Sequence, residues 1–296
     1  MLSIAWQRRA FLAVAAMCLV WGLFIPRLSS SVETVITGVL ILFLGVPHGA
    51  LDLLYLRKVL GIKSPLTLGL SMLAYCSIAG LVFALWKLSP LLFLLFFLLA
   101  AALHFSGDLE KAHSITRATV GIGVIVWPSL FHGDELTNLY SLLTNQTTAE
   151  SVVRISYVLA LLCLGLVLVG LFLELRRQRT AEAGEMCAAM LLALVAPPLV
   201  AFACYFCFMH SARHIVRTSQ LIPLARRAFV LECVAPMVAV LIIAIMGWKI
   251  QSHLSLDARV IQTLFVLLAA LTAPHMVIVE PIRFHGWKTA GEKSST

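Results

Sequence analysis

The sequence predicts an all-α fold: a polytopic transmembrane helix bundle of about eight crossings plus one re-entrant segment. Three observations predict it. Hydrophobic residues fill 61% of the 296 positions and charged residues only 12%, against roughly a half and a quarter in soluble domains. Mean hydropathy is +0.98, and no soluble core hides that much apolar surface. The apolar residues also come in long runs with the chain breakers between them, as in helices that cross a bilayer. No polar, Gly/Ser-rich or charge-rich stretch is long enough for a linker, so residues 1–296 read as a single integral membrane domain.

Runs near residues 10–26, 33–55, 65–86, 89–106, 115–131, 152–174, 187–211, 228–248 and 259–281 each approach the roughly 20 apolar residues that a crossing needs. Arg8 and Arg9 precede the first run in the layout of a signal peptide, but without a small-x-small cleavage site it reads as an uncleaved first span. Pro26, Gly61 to Pro65, Ser89-Pro90, Asp134 to Glu150 and Arg176 to Glu185 supply the interruptions. Lys and Arg favour the cytoplasmic side. With the N-terminus inside, Arg57, Lys58, Lys63, Lys111, Arg117, Arg176, Arg177 and Arg179 fall inside as well. Nine full crossings would then put Arg213, Arg217, Arg226 and Arg227 outside, together with Arg283, Lys288 and Lys293 of the tail. If the 187–211 segment, with its Pro197-Pro198, re-enters on the side it left, both clusters become cytoplasmic. The expectation is a multi-pass protein of the cell inner membrane with both termini in the cytoplasm.

The formal charge of +8 does not indicate nucleic acid, because the basic residues fall in short clusters between apolar runs, as beside anionic lipid headgroups. The lipid bilayer is the expected partner. Seven cysteines are an odd number, mostly inside apolar runs, and indicate no disulfide framework; the Cys204-x-x-Cys207 pair, with aromatic neighbours and no second pair, reads as packing.

Chemistry enters with histidines at membrane depth, where ionisable groups are costly and mark functional sites. His48 lies in G-V-P-H-G-A-L-D at 45–52, His104 in H-F-S-G-D at 104–108, His210 and His214 in H-S-A-R-H at 210–214, and His275 in P-H-M at 274–276. His113, His132, His253 and His285 fall in loops or the tail and carry no such signal. His210 and His214, four apart, share one helix face with Cβ atoms about 5–6 Å apart, close enough for one metal ion. Asp52 follows His48 by four and Asp108 follows His104 by four. Each carboxylate is therefore expected to accept from its histidine's far ring nitrogen and aim the near one at a metal. Pro47 and Pro274 each free a helical carbonyl beside a histidine, which membrane helices tolerate only inside protein or a cavity. Arg213 is expected to pair with an acid or a headgroup.

Imidazole suits Zn, Cu, Fe and Ni, whereas structural zinc usually recruits cysteine. Four neutral imidazoles would leave iron(II) dipositive with a position open to oxygen. Other classes fit part of the pattern: a haem- or metal-binding redox carrier with two axial histidines, or a transporter using histidines for packing or proton relay. Diiron desaturases use adjacent histidine pairs, and this chain has no His-His.

The ordered set of motifs, spread over essentially the whole chain, resembles the bacteriorhodopsin-related-protein (Brp/Blh) family of membrane β-carotene 15,15'-dioxygenases. The resemblance implies cleavage of the central double bond of β-carotene by O2 to two all-trans retinal at a non-haem Fe(2+). It also implies His48, His104, His210 and His214 as metal ligands, and His275 as either a further ligand or a catalytic residue beside the cleaved bond. The second motif reads H-F-S-G-D where the family pattern leads one to expect H-F-G, which bears on the helix geometry after His104. By the same resemblance, a retinal-binding rhodopsin is the natural acceptor of the product.

Overall fold

A computed structural model describes residues 3–24 and 30–284. Pro26, Arg27, His285, Lys288 and Lys293 lie outside the described residues. Eleven helices and no strand make up the described chain: α1 (Ile4–Phe24), α2 (Ser30–Val59), α3 (Pro65–Leu88), α4 (Pro90–Phe105), α5 (Ser114–Leu130), α6 (Gly133–Leu143), α7 (Gln146–Arg176), α8 (Thr180–Val195), α9 (Pro198–Leu221), α10 (Arg226–Ile250) and α11 (Leu256–Phe284). Their boundaries follow local chemistry. Pro65, Pro90 and Pro198 occupy first helical positions, where the missing N–H costs nothing. Asn145 caps α7 by accepting from Thr148 N–H at 3.0 Å, and Gly61, at φ 70°, ends α2 in a conformation open to glycine.

Seven of these helices are long and apolar enough to cross a membrane, or eight if the bent pair α5 and α6, at 109° to each other, counts as one span. Helix α4, also strongly apolar, has 16 residues. The 187–211 segment is not one element. It divides at Ala196-Pro197 into the end of α8 and the start of α9. The chain nevertheless returns to the end it left, because Arg213 of α9 pairs with Glu185 of α8, and Arg8 of α1 pairs with Glu182 and Glu185. Arg8, Lys111, Arg213 and Arg217 line one polar cavity of about 620 Å³ at that end, so the basic clusters that a nine-crossing count would separate stand together.

Burial separates the central helices from the lipid-facing ones. The apolar window is 72% buried in α9 and 50% in α2 and α11, but only 6% in α3 and α10. The central three carry four of the five motif histidines, and α4 brings the fifth beside them. Close packing needs small residues: a Cβ at Gly121 of α5 would collide with the Ala102 carbonyl of α4, and one at Gly45 with the Phe206 ring. Cys204 and Cys207 are buried free thiols in the wall of α9.

Candidate functional site

Three of the motif histidines, His48, His104 and His210, sit where their helix is irregular or ends, while His214 and His275 lie in regular α-helix. Pro47 cannot donate to the helix ladder, and α2 runs as a π-helix over Ile41–Gly45 and a 3-10 helix over Val46–Leu51. The carbonyls this releases find other donors. Ser211 Oγ donates to the Leu44 and Gly45 carbonyls, both at 2.8 Å, and His48 Nδ1 donates to Gly45 O at 2.6 Å. Helix α9 is itself a π-helix over Tyr205–Ser211, which sets Phe206 and His210 on the side facing α2.

The five motif histidines, all buried, converge. Ring centroids lie 4.9 Å apart for His48 and His210, 4.6 Å for His210 and His104, 5.0 Å for His104 and His275, and 5.1 Å for His275 and His48. These four close a ring. His214 stands beside it, 5.2 Å from His275 and 5.7 Å from His48, against Tyr55 at 5.6 Å. One ring nitrogen from each of His48, His104 and His275 lies within 4.8 Å of the other two. By contrast, His113 caps α5 by accepting from Ile115 N–H, and His132 bonds the Leu194 carbonyl.

The carboxylates are buried at the site, but the expected pairing by an interval of four is corrected. Asp52 accepts from His275 Nδ1 at 2.6 Å instead of from His48, and Asp108 accepts from His210 Nδ1 at 3.0 Å instead of from His104. The reason is local. Pro47 hands His48 a free carbonyl three residues back, and α4 ends at Phe105, so Asp108 leaves the helix through a run of turns and approaches α9. His104 Nδ1 donates to Glu280 Oε1 at 2.8 Å. Glu280 escapes sequence reading because it meets His104 across 176 residues; its one local signal is an acid five places after His275 in an apolar run. Two further residues were also out of reach of spacing: Tyr75 OH donates to Asp52 and Tyr205 OH to Asp108, each at 2.9 Å. The site thus holds two Tyr–Asp–His chains and one Glu–His pair.

The H-F-S-G-D segment after His104 is held by arginines. Arg213 and Arg217 donate to the Asp108 carbonyl at 3.0 and 2.9 Å, and Arg283 donates to the His104 carbonyl at 3.2 Å. A Cβ at Gly107 would collide with Arg283, so this glycine is needed for the close approach. Arg213 also donates to Gln7 at 2.8 Å and pairs with the fully buried Glu185, as expected of a membrane-depth arginine.

With Nδ1 of His48, His104, His210 and His275 donating to a fixed oxygen, the tautomer leaves each Nε2 with its lone pair. Nε2 of His104, His210 and His275 is buried with no hydrogen-bond partner. A buried acceptor without a partner costs about 1–3 kcal/mol, and such atoms within one histidine cluster suit a cation that accepts nitrogen ligands. Residues His48, His104 and His210 also face a cavity of about 20 Å³ walled by Phe97, Phe105, Phe202 and Phe206.

Residues 39–282 match the family model described as beta-carotene 15,15'-dioxygenase. The beta-carotene 15,15'-dioxygenase of the uncultured marine bacterium 66A03 is 31% identical over 258 residues, covering 81% of this chain and 90% of that protein. No solved structure matches. A family match that runs from α2 to the end of α11 takes in every helix that delivers a histidine to the cluster, and the chain belongs to the β-carotene 15,15'-dioxygenase family.

Proposed function

We propose that this chain cleaves β-carotene at its central 15,15' double bond with O2, giving two molecules of all-trans retinal, at an Fe(2+) held by the buried histidines. The observation that carries the reading is the set of partnerless Nε2 atoms in a cluster whose opposite ring nitrogens are tied to oxygen acceptors. His48, His104, His210 and His214 are the proposed ligands. His275, whose ring neighbours three of the other four, joins them as a ligand instead of standing beside the cleaved bond. Iron(II) would supply the one-electron reactivity that lets O2 attack an electron-rich alkene. Asp52, Asp108 and Glu280 hold three imidazoles in orientation and add negative charge around a dipositive ion. The 20 Å³ cavity holds about one water-sized molecule, and its phenylalanine walls favour an apolar gas over water. Both oxygen atoms leave in the two aldehydes, so no other reductant is needed.

The test is expression in a bacterium that accumulates β-carotene, with pigments separated by chromatography. Loss of β-carotene with appearance of retinal is expected. An intact β-carotene pool despite membrane accumulation and iron supply overturns the reading. A retinal-binding rhodopsin is the proposed product acceptor.

The proposed location is the inner membrane with both termini cytoplasmic, supported by the cavity that gathers Arg8, Lys111, Arg213 and Arg217 at one end. Reporter fusions after Lys58, Arg179, Arg226 and the C-terminus should all report the cytoplasm. A periplasmic signal at the C-terminus would overturn this orientation.

A further inference from the structure

Three histidine-bearing helices carry an apolar stripe on the N-terminal side of the histidine. On α4, Ala101, Phe97 and Leu94 precede His104 by 3, 7 and 10 residues; on α9, Phe206, Phe202 and Leu199 precede His210 by 4, 8 and 11. On α11, Leu268, Phe265 and Ile261 precede His275 by 7, 10 and 14. These intervals keep each stripe near one helix face. Together the stripes wall two cavities, one of about 20 Å³ against His48, His104 and His210 and one of about 70 Å³ that is also lined by Leu136 and Tyr140 of α6. The two cavities share Phe97, Ala101 and Phe202. Between them the rings interlock: Phe202 stacks on Phe206 at 5.3 Å and meets Phe265 at 5.3 Å, and Phe265 meets Phe97 at 6.1 Å.

We infer that this aromatic constriction is the passage for one arm of the carotenoid, with the apolar pocket beneath α6 receiving the ring at its end. The inference rests on the proposed β-carotene cleavage and adds where half of the substrate lies. Length agrees. From His104 to Leu94 the helix rises about 15 Å at 1.5 Å per residue. An all-trans arm reaches roughly 11 Å from the central bond to its ring, at about 1.2 Å per bond of an extended chain. Chemistry agrees as well, because the lining is aliphatic and aromatic, and aromatic faces stack on flat π systems. The combined volume is small because the phenylalanine rings fill the passage, so entry of the arm turns Phe202 away from Phe206. Pocket depth would then decide which arm lengths reach the cleavage point.

Leu199→Trp and Leu94→Trp fill the apolar pocket from two different helices, α9 and α4, and neither residue is a histidine ligand candidate. Membranes carrying the full-length protein would be given β-carotene, or an apocarotenal that keeps the 15,15' bond but lacks the ring on one arm, and retinal measured alongside bound iron. Each variant is expected to lower β-carotene cleavage by about tenfold or more, and apocarotenal cleavage by less than about threefold, because the short arm fits the filled pocket. Bound iron should not change, and Leu159→Trp on the lipid-facing side of α7 should alter neither substrate. Should a tryptophan variant fail to accumulate, Leu199→Phe carries the same comparison. Equal loss on both substrates, or no loss on either, overturns the passage while leaving the proposed activity standing. Absence of retinal from both substrates with the unaltered chain overturns the activity and the passage together.

Discussion

Alanine in place of His48, His104, His210 or His214 is expected to abolish retinal formation and release most bound iron, while the protein still accumulates in the membrane. Each change deletes a buried nitrogen from a cluster in which the neighbouring rings are held by bonds to other partners. The remaining imidazoles therefore cannot shift to fill the gap. The loss should exceed the roughly 10–100-fold that follows from removing a ligand's supporting partner. His275→Ala is the informative variant. Its ring contacts His48, His104 and His214, so iron should be lost along with turnover; lost turnover with iron retained would return His275 to a position beside the substrate. His113→Ala and His253→Ala, away from the cluster, should stay active. Activity surviving the joint replacement of any two proposed ligands would refute the iron site.

The second expected result concerns the carboxylates. Asp52→Asn, Asp108→Asn and Glu280→Gln should each leave the fold intact and lower iron affinity or turnover by about 10–100-fold. An amide in place of the carboxylate weakens the bond from the imidazole N–H and with it the hold on the ring's orientation. The pairing can be read separately from the magnitude. If Asp52 acts through His275, Asp52→Asn should add nothing in a His275→Ala background when iron affinity is measured, whereas action through His48 would leave the two effects additive. Full additivity would overturn the Asp52–His275 pairing. Tyr75→Phe, which removes one donor to Asp52, should fall in the same direction with a smaller effect.

Much of the fold was legible because membrane helices must satisfy their backbone within themselves, which makes long apolar runs and their breakers directly readable. The run at 187–211 was the exception. Its hydropathy is continuous across Ala196-Pro197, and although Pro197-Pro198 marks a break, that the break separates two full helices is seen in the departure of α9 from α8. The bend of 109° between α5 and α6 was hidden for the opposite reason: the 134–150 stretch is polar enough to read as a loop, yet Gly133–Leu143 is a helix with its apolar face packed inward. Of the aromatic residues beside the histidine motifs, Phe105 and Phe206 wall the cavity next to the histidines and Phe43 is exposed, a difference the sequence does not carry. Phe97, Phe202 and Phe265 lie a turn or more from any motif and became visible only as a constriction.

The sequence by itself determined the helical class, the membrane setting and the five histidines, since each follows from composition or from the cost of placing an ionisable group in lipid. It also marked Asp52 and Asp108 as buried partners of histidine. Which histidine each acid serves was decided only by tertiary structure. An interval of four makes neighbours on an undisturbed α-helix, but Pro47 turns α2 into π and 3-10 segments and α4 stops one residue after His104. The partners are then chosen by approach across 102 residues for Asp108 and His210, 223 for Asp52 and His275, and 176 for His104 and Glu280. Contacts between helices so distant in the chain leave no periodic trace in it, because they depend on how the bundle packs and not on how any one helix winds.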